Sequence, residues 1–236
     1  MLTYTTPELT FPRFYADMAV QSHVLIGGTT GAGKSTALNG FLRSLMRFTP
    51  DEAQLVLIDP KGVELMEWQR VPHTLARFIT PAEITRGLEF LAGYMEDRFK
   101  RMQAEKLKRW TGPDIYIVID EYIDIKLKAP KAQPYIIDIA CKGRAAGLHL
   151  IICTQRPTRQ IIDGAIRACL PAVLALRCSS AQESRNLLDQ NGAEKLPHHG
   201  TGLYITPAAV GIQRVAIPYY PPAELEKVIS GWEKQA

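Results

Sequence analysis

The segment Gly28-Thr-Thr-Gly-Ala-Gly-Lys-Ser35 constrains this chain more than any other. It matches the spacing G-x-x-x-x-G-K-[ST] without a mismatch, and it lies between a short apolar run, His23–Gly27, and a stretch with helical periodicity. That context, strand then glycine-rich turn then helix, is the one in which the motif binds phosphate. Glycines let successive backbone N–H groups curl around phosphate oxygens, and the helix N-terminus adds a favourable field. The expected nucleotide contacts are Gly28, Thr29, Thr30, Gly31, Ala32, Gly33, Lys34, Ser35 and Thr36. Lys34 would reach the β- and γ-phosphates of ATP, and the Ser35 hydroxyl would face Mg²⁺.

The rest of the chain alternates in the same way. Apolar spacing at Ala37, Leu38, Phe41, Leu42, Leu45 and Met46 predicts a helix over Lys34–Arg47. Buried strands are expected at Ala53–Asp59, Asp114–Asp120, Leu148–Thr154 and Ala172–Leu176, with shorter ones at Leu203–Ile205 and Arg214–Ile217. Further helices are expected at Pro81–Arg109, opened by Thr80 and a proline at the first helical position, at Ala132–Ala146, and at Pro222–Lys234. Strands that are apolar throughout and separated by helices imply an α/β fold, a mostly parallel sheet with helices on both faces. Its ligand site should sit at the carboxyl ends of the strands.

Two of those ends carry chemistry. Ile115-Tyr-Ile-Val-Ile-Asp120-Glu121 ends in paired acids. Asp120 is placed to hold Mg²⁺, and Glu121 to act as general base on the attacking water. Thr154-Gln-Arg-Pro157 ends another strand, and Gln155 can sense the γ-phosphate and orient water. Ile58-Asp-Pro-Lys61 ends a third, either as part of the site or as a turn held by Asp59. Phosphoryl transfer gains from an inserted guanidinium, for which Arg144, Arg156 and Arg185 are candidates. Arg144 is preferred because it precedes Ala-Ala-Gly at a helix end, where it could project toward a neighbouring subunit.

Composition adds exclusions. The 236 residues are 46% hydrophobic and 22% charged, values of a soluble globular chain. The most apolar runs, Ile115–Ile119 and Leu148–Cys153, are too short to cross a bilayer, and no charged-then-apolar leader opens the sequence, so a cytoplasmic location is expected. The net charge of +4 is concentrated at Asp97–Trp110, where Arg98, Lys100, Arg101, Lys106, Lys108 and Arg109 outnumber two acids. This reads as a solvated helix face. Cys141, Cys153, Cys169 and Cys178 have no paired spacing, and four free thiols are expected. The five histidines show no metal-ligand spacing.

Together these blocks resemble the FtsK/SpoIIIE family of DNA translocase motor domains. The resemblance rests on His23–Ser35, Ile58–Lys61, Ile119–Glu121, Gly143-Arg-Ala-Ala-Gly-Leu-His149, Thr154–Pro157, Ser184-Arg185 and Leu188–Leu196. Met95–Met102 is similar to the family's arginine-rich helix and Pro222–Gln235 to its closing helix. The resemblance implies a RecA-like P-loop ATPase over residues 15–236, preceded by a short extension at 1–14. It also implies a homo-oligomeric ring, typically of six, around double-stranded DNA, with ATP between subunits and an arginine of one completing the site of the next. The DNA-tracking loops would then hold Lys126, Lys128 and Lys131 after the acidic strand, and Arg159 and Arg167 after the Thr154–Pro157 strand. Alternatives are an FtsK-like ATPase of type VII protein secretion, or a regulatory ATPase in plasmid or phage transfer or replication. The sequence departs from the family at Tyr122, where leucine is usual, and in the Lys- and Pro-rich stretch that follows.

Overall fold

The computed structural model describes residues 18–162 and 164–234, so the expected extension at 1–14 lies outside the described residues. In chain order the elements are α1 (Met18–Gln21), β1 (Val24–Gly27), α2 (Lys34–Leu45), β2 (Ala53–Ile58), β3 (Thr74–Phe78), α3 (Pro81–Ala104), β4 (Asp114–Ile119) and α4 (Tyr122–Lys128). They continue with α5 (Gln133–Lys142), β5 (Leu148–Thr154), α6 (Gly164–Cys169), β6 (Ala172–Ala175), α7 (Ala181–Leu188), β7 (Thr201–Ile205), β8 (Gln213–Ala216) and α8 (Pro222–Glu233).

The strands form one sheet in the order β3-β2-β4-β5-β1-β6-β7-β8. The six strands from β3 to β6 run parallel, and β7 and β8 close the far edge antiparallel. Alternate residues point to opposite faces of a strand, so each strand feeds two cores. Leu25, Val56, Ile117, Ile119, Leu150 and Ile152 pack with α3 and α5 on one face. Ile26, Leu55, Leu57, Val118, Ile151 and Leu174 pack with α2 and α8 on the other. The expected α/β sheet with helices on both faces is therefore what forms.

Helix α3 shows how local chemistry sets the boundaries. Thr80 and Glu83 make a complete capping box, with Pro81 at the first position. The helix stops at Ala104, short of the expected Arg109. Lys106 turns left-handed at φ 55°, and Leu107 N–H bonds back to Met102 O at 2.8 Å while Lys106 N–H reaches Gln103 O. That is a Schellman ending with lysine at the usual glycine position.

Arg98 corrects the reading of a uniformly solvated basic face. It is 1% exposed, and its guanidinium donates to Ala146 O at 2.7 Å, Gly147 O at 3.3 Å and Pro113 O at 2.9 Å. It also lies over the rings of Trp110 and Tyr94. Lys100, Arg101, Lys106, Lys108 and Arg109 are exposed, as expected.

The four free thiols are corrected as well. Cys141, in the last turn of α5, and Cys169, at the end of α6, form a disulfide with Cα atoms 5.1 Å apart. Helices α5 and α6 pack side by side, an adjacency that a 28-residue sequence separation conceals. Cys153 and Cys178 are free and buried. No helix among the described residues is long and apolar enough to cross a membrane.

Candidate nucleotide site

Strand β1 runs into the glycine-rich turn between two parallel neighbours, β5 and β6. Both neighbours hold the turn in place: Gly28 N–H bonds Thr154 O, and Thr29 N–H bonds Arg177 O at 2.8 Å. Gly31 and Gly33 adopt φ of 76° and 97°, left-handed values that disfavour a side chain. A Cβ built on either would meet nothing within 4 Å, so both glycines border open space. Helix α2 starts at Lys34 with no side-chain cap, which leaves its first-turn amides for phosphate oxygens. Lys34 curls back over the turn, its ammonium donating to Gly28 O and Thr29 O, both at 2.8 Å. Burial holds its pKa below the usual lysine value. A triphosphate fits this cradle: open glycine backbone, uncapped amides and a pre-placed ammonium.

The strand ends β2, β4 and β5 bring the acids beside it. Asp120 follows β4 and is buried. Desolvation pushes its carboxyl up to about 7, reinforced by Glu64, Asp59 and Glu121 and opposed by Lys61. A carboxylate pressed toward protonation by burial and by other acids favours a cation beside it. Among the described residues no group of three or more His, Cys, Asp or Glu side chains is arranged as a metal cage. Magnesium in nucleotide sites binds one or two protein oxygens plus substrate phosphates, and Asp120 and Ser35 are the residues that would hold it.

Glu121 is 2% exposed, and its Oε1 accepts the Gln155 backbone N–H at 3.0 Å. Its Oε2 lies 4.0 Å from the Lys61 ammonium. The Gln155 side chain reaches the glycine-rich turn, where Thr30 donates to its Oε1 at 2.6 Å. One short stretch after β5 thus touches both Glu121 and the phosphate loop.

Asp59 holds a turn and also stands near Asp120. Its Oδ1 accepts the N–H groups of Lys61 and Gly62, and its Oδ2 accepts that of Leu65. Two neighbours were missed in the sequence. Arg177 O anchors Thr29, and Glu64 adds negative charge near Asp120. The first is a backbone contact, which no side-chain pattern announces, and the second lies outside any motif.

The structure does not bring Arg144 to this end of the sheet. It precedes β5, whereas Gln155 follows it, so about 25 Å of strand separates them at roughly 3.3 Å per residue. Arg156 is exposed after β5, and Arg185 on α7 bonds Asn191 and Gln182. The stretch after Glu121, read as a loop, is helix α4, because Tyr122, Ile125 and Ala129 fall on one buried face. Lys126 on α4 donates to Ile161 O, while exposed Lys128 pairs with Asp124 at 2.9 Å. Lys131 and Arg159 are exposed. Arg167 is half-buried on α6, bonded to Leu170 O and Leu187 O.

Comparison with known proteins places this geometry. The FtsK/SpoIIIE family model matches residues 8–114 and 108–159. The chain is 34% identical over 247 residues to the DNA translocase FtsK of Mycobacterium tuberculosis (strain CDC 1551 / Oshkosh), covering 94% of this chain and 30% of that protein. It is 36% identical over 233 residues to the DNA translocase FtsK of Leptospira interrogans (serovar copenhageni), covering 90% of this chain and 25% of that one. It therefore spans about a third or less of the length of these relatives. In fold it is similar to the pCW3 conjugation coupling protein TcpA, solved as a monomer with ATPγS (TM-score 0.80, 22% identity, 91% of this chain and 66% of that one). It is also similar to the cytoplasmic domain of the Thermomonospora curvata type VII secretion ATPase EccC (TM-score 0.78, 24% identity, 89% of this chain and 28% of that one). With the glycine-rich turn, the acid pair and the RecA-like sheet all in place, the chain belongs to the FtsK/SpoIIIE family of P-loop ATPases.

Proposed function

We propose that residues 15–236 act as one motor domain that hydrolyses ATP to move along double-stranded DNA, as a ring of identical subunits, typically six. The observation that carries the reading is the junction at Gln155, which contacts Glu121 through its backbone and Thr30 through its side chain. Hydrolysis at the phosphate loop is thereby wired to the segment after β5.

In this reading Gly28–Thr36 hold the triphosphate and Lys34 shifts from loop carbonyls to the β- and γ-phosphates. Bound Mg²⁺, held by Ser35 and Asp120, would neutralise charge on the phosphate oxygens. Glu121 takes the proton from the attacking water, and Gln155 orients that water. Arg144 stands at the other end of β5 from its own chain's phosphate loop, and in this reading its guanidinium serves the site of an adjacent subunit. Lys128, Lys131 and Arg159 touch DNA phosphates, an arrangement that grips without reading bases. Lys126 and Arg167 brace the same segments from within.

The test is ATP hydrolysis with and without double-stranded DNA at two salt concentrations, with Lys34→Ala as control. Strong stimulation that fades at high salt supports a motor that grips phosphates. Turnover indifferent to DNA sinks the DNA reading and favours a protein substrate or a regulatory role. Unchanged turnover in Lys34→Ala sinks the nucleotide site itself.

A further inference from the structure

The turn after β2 carries a lysine into the acid cluster. Asp59 builds that turn. It is fully buried, its Oδ1 accepts the N–H groups of Lys61 and Gly62, and its Oδ2 accepts that of Leu65. The Arg77 guanidinium stands 3.6 Å from Oδ2. A buried carboxylate with this many partners fixes the backbone at Lys61. The Lys61 side chain then runs out on a flexible four-carbon stem, 47% exposed, and its ammonium lies 4.0 Å from Glu121 Oε2. Its charge is felt by Asp120 and by Lys34, so it stands within reach of both the acid pair and the phosphate-loop lysine.

We propose that Lys61 is a positioning residue for Glu121, steering one carboxylate oxygen while the Gln155 N–H holds the other. The proposal rests on the reading of Glu121 as the base and names what sets the angle of its carboxylate. A glutamate held at one oxygen can still turn about its terminal bond, whose torsion is broad. The Gln155 N–H fixes Oε1 at 3.0 Å, and attraction to Lys61 adds a second point at Oε2. Two points define the plane. Glu121 is 2% exposed, so bulk water cannot take over the second one.

Distance and charge support this role. At 4.0 Å the ammonium is beyond hydrogen-bond length. It attracts Oε2 without occupying the lone pairs that would receive a proton from water. Asp120 and Glu121 repel each other, and without an opposing cation the Glu121 carboxylate would turn to widen that separation. Lys34 is not placed to provide one, because its ammonium is bonded to Gly28 O and Thr29 O.

The experiment measures steady-state ATP turnover, and ATP binding by calorimetry, on the full chain with Mg²⁺. The variants are Lys61→Met, Lys61→Arg, Glu121→Gln and the double variant Lys61→Met/Glu121→Gln. Methionine keeps most of the stem and drops the charge at a half-exposed position, so the fold should survive, and thermal melting checks it. Lys61→Met should lower kcat by about ten- to a hundredfold, the scale of a misplaced reacting group, with the Kd for ATP within about twofold of the parent chain. Lys61→Arg restores the charge and should recover most of the lost turnover. Because Lys61 acts through Glu121, the double variant should be no slower than Glu121→Gln alone. Parental kcat in Lys61→Met overturns the proposal, as does a Kd for ATP that rises as much as kcat falls. A double variant slowed by the full factor seen in Lys61→Met also overturns it, since the ammonium would then act on the nucleotide and not on the base. Normal turnover in Glu121→Gln instead overturns the base assignment on which the proposal stands.

Discussion

The backbone N–H of Gln155 donates to the side chain of Glu121 at 3.0 Å, so the proposed base is held by the residue that follows β5. This bond makes Glu121→Gln a clean probe. A glutamine oxygen can still accept from Gln155 N–H, so the local frame survives while the proton acceptor is removed. ATP binding should stay near parental levels, and turnover should fall by roughly a hundredfold or more. Steady-state hydrolysis alongside an ATP titration checks this; normal turnover would move the base role elsewhere.

Arg144 and the phosphate loop lie at opposite ends of β5. Arg144→Ala should therefore bind ATP normally yet hydrolyse it poorly, and Lys34→Ala should fail at the nucleotide. Mixed together, the two inactive proteins should regain part of the activity, because one supplies an intact loop and the other an intact arginine. A mixture as silent as its components would rule out a role for Arg144 across subunits.

Arg98 presents a different kind of dependence. Its buried guanidinium satisfies three backbone carbonyls of the segments around Pro113 and Ala146–Gly147. Arg98→Leu keeps bulk but leaves Ala146 O and Pro113 O without that donor, while Gly147 O keeps the Ile115 N–H, at about 1–3 kcal/mol for each one left buried and unmet. We expect a loss on the order of 3 kcal/mol, and so a drop in Tm of about 6–12 °C for a chain of this size. Thermal denaturation measures it. Because Arg144 opens the same turn, ATP turnover should fall more than ATP binding.

His23 makes stability depend on pH. Burial lowers its pKa from 6.5 to about 3, and the nearby His149 and Arg144 charges add to the shift. Its Nδ1 accepts the Leu150 N–H at 2.9 Å, which requires the neutral ring. Between pH 6.5 and 3 the unfolded chain binds a proton at His23 that the folded chain does not. The contribution of this group is thus complete above pH 6.5 and is lost as the pH falls, by about 1.4 kcal/mol per unit. Asparagine can accept the same hydrogen bond without titrating. Denaturant melts of the parent chain and His23→Asn at pH 7.5 and 5 should show a steeper fall in the parent; parallel slopes would refute the assignment.

The legible features were those with strong local signals. The β1–turn–α2 unit, the acids after β4 and the glutamine after β5 could be placed because apolar runs and strand-end polar residues coincide. Strand β3 escaped notice, since Thr74-Leu-Ala-Arg-Phe78 sits at the sheet edge, half-exposed and mixed in polarity. Helix α4 was obscured by the lysines and proline around it, although Tyr122 and Ile125 carry its buried face. Arg98 shows the limit most sharply: within a basic run nothing distinguishes the one guanidinium that turns inward, because its partners are backbone carbonyls distant in sequence. The Cys141–Cys169 pairing was hidden for the same reason, as it depends on how two helices pack across β5.

That disulfide has a practical consequence at the bench. It ties off a covalent loop whose ends are 28 residues apart, and inside that loop lie Arg144, all of β5, Gln155 and Arg159. Protein kept in dithiothreitol and protein kept in air are then two different molecules, one with this segment tethered at both ends and one without. Any turnover, binding or melting value for this chain belongs to one of these two species, so the thiol content of the buffer is as much a part of the measurement as its salt.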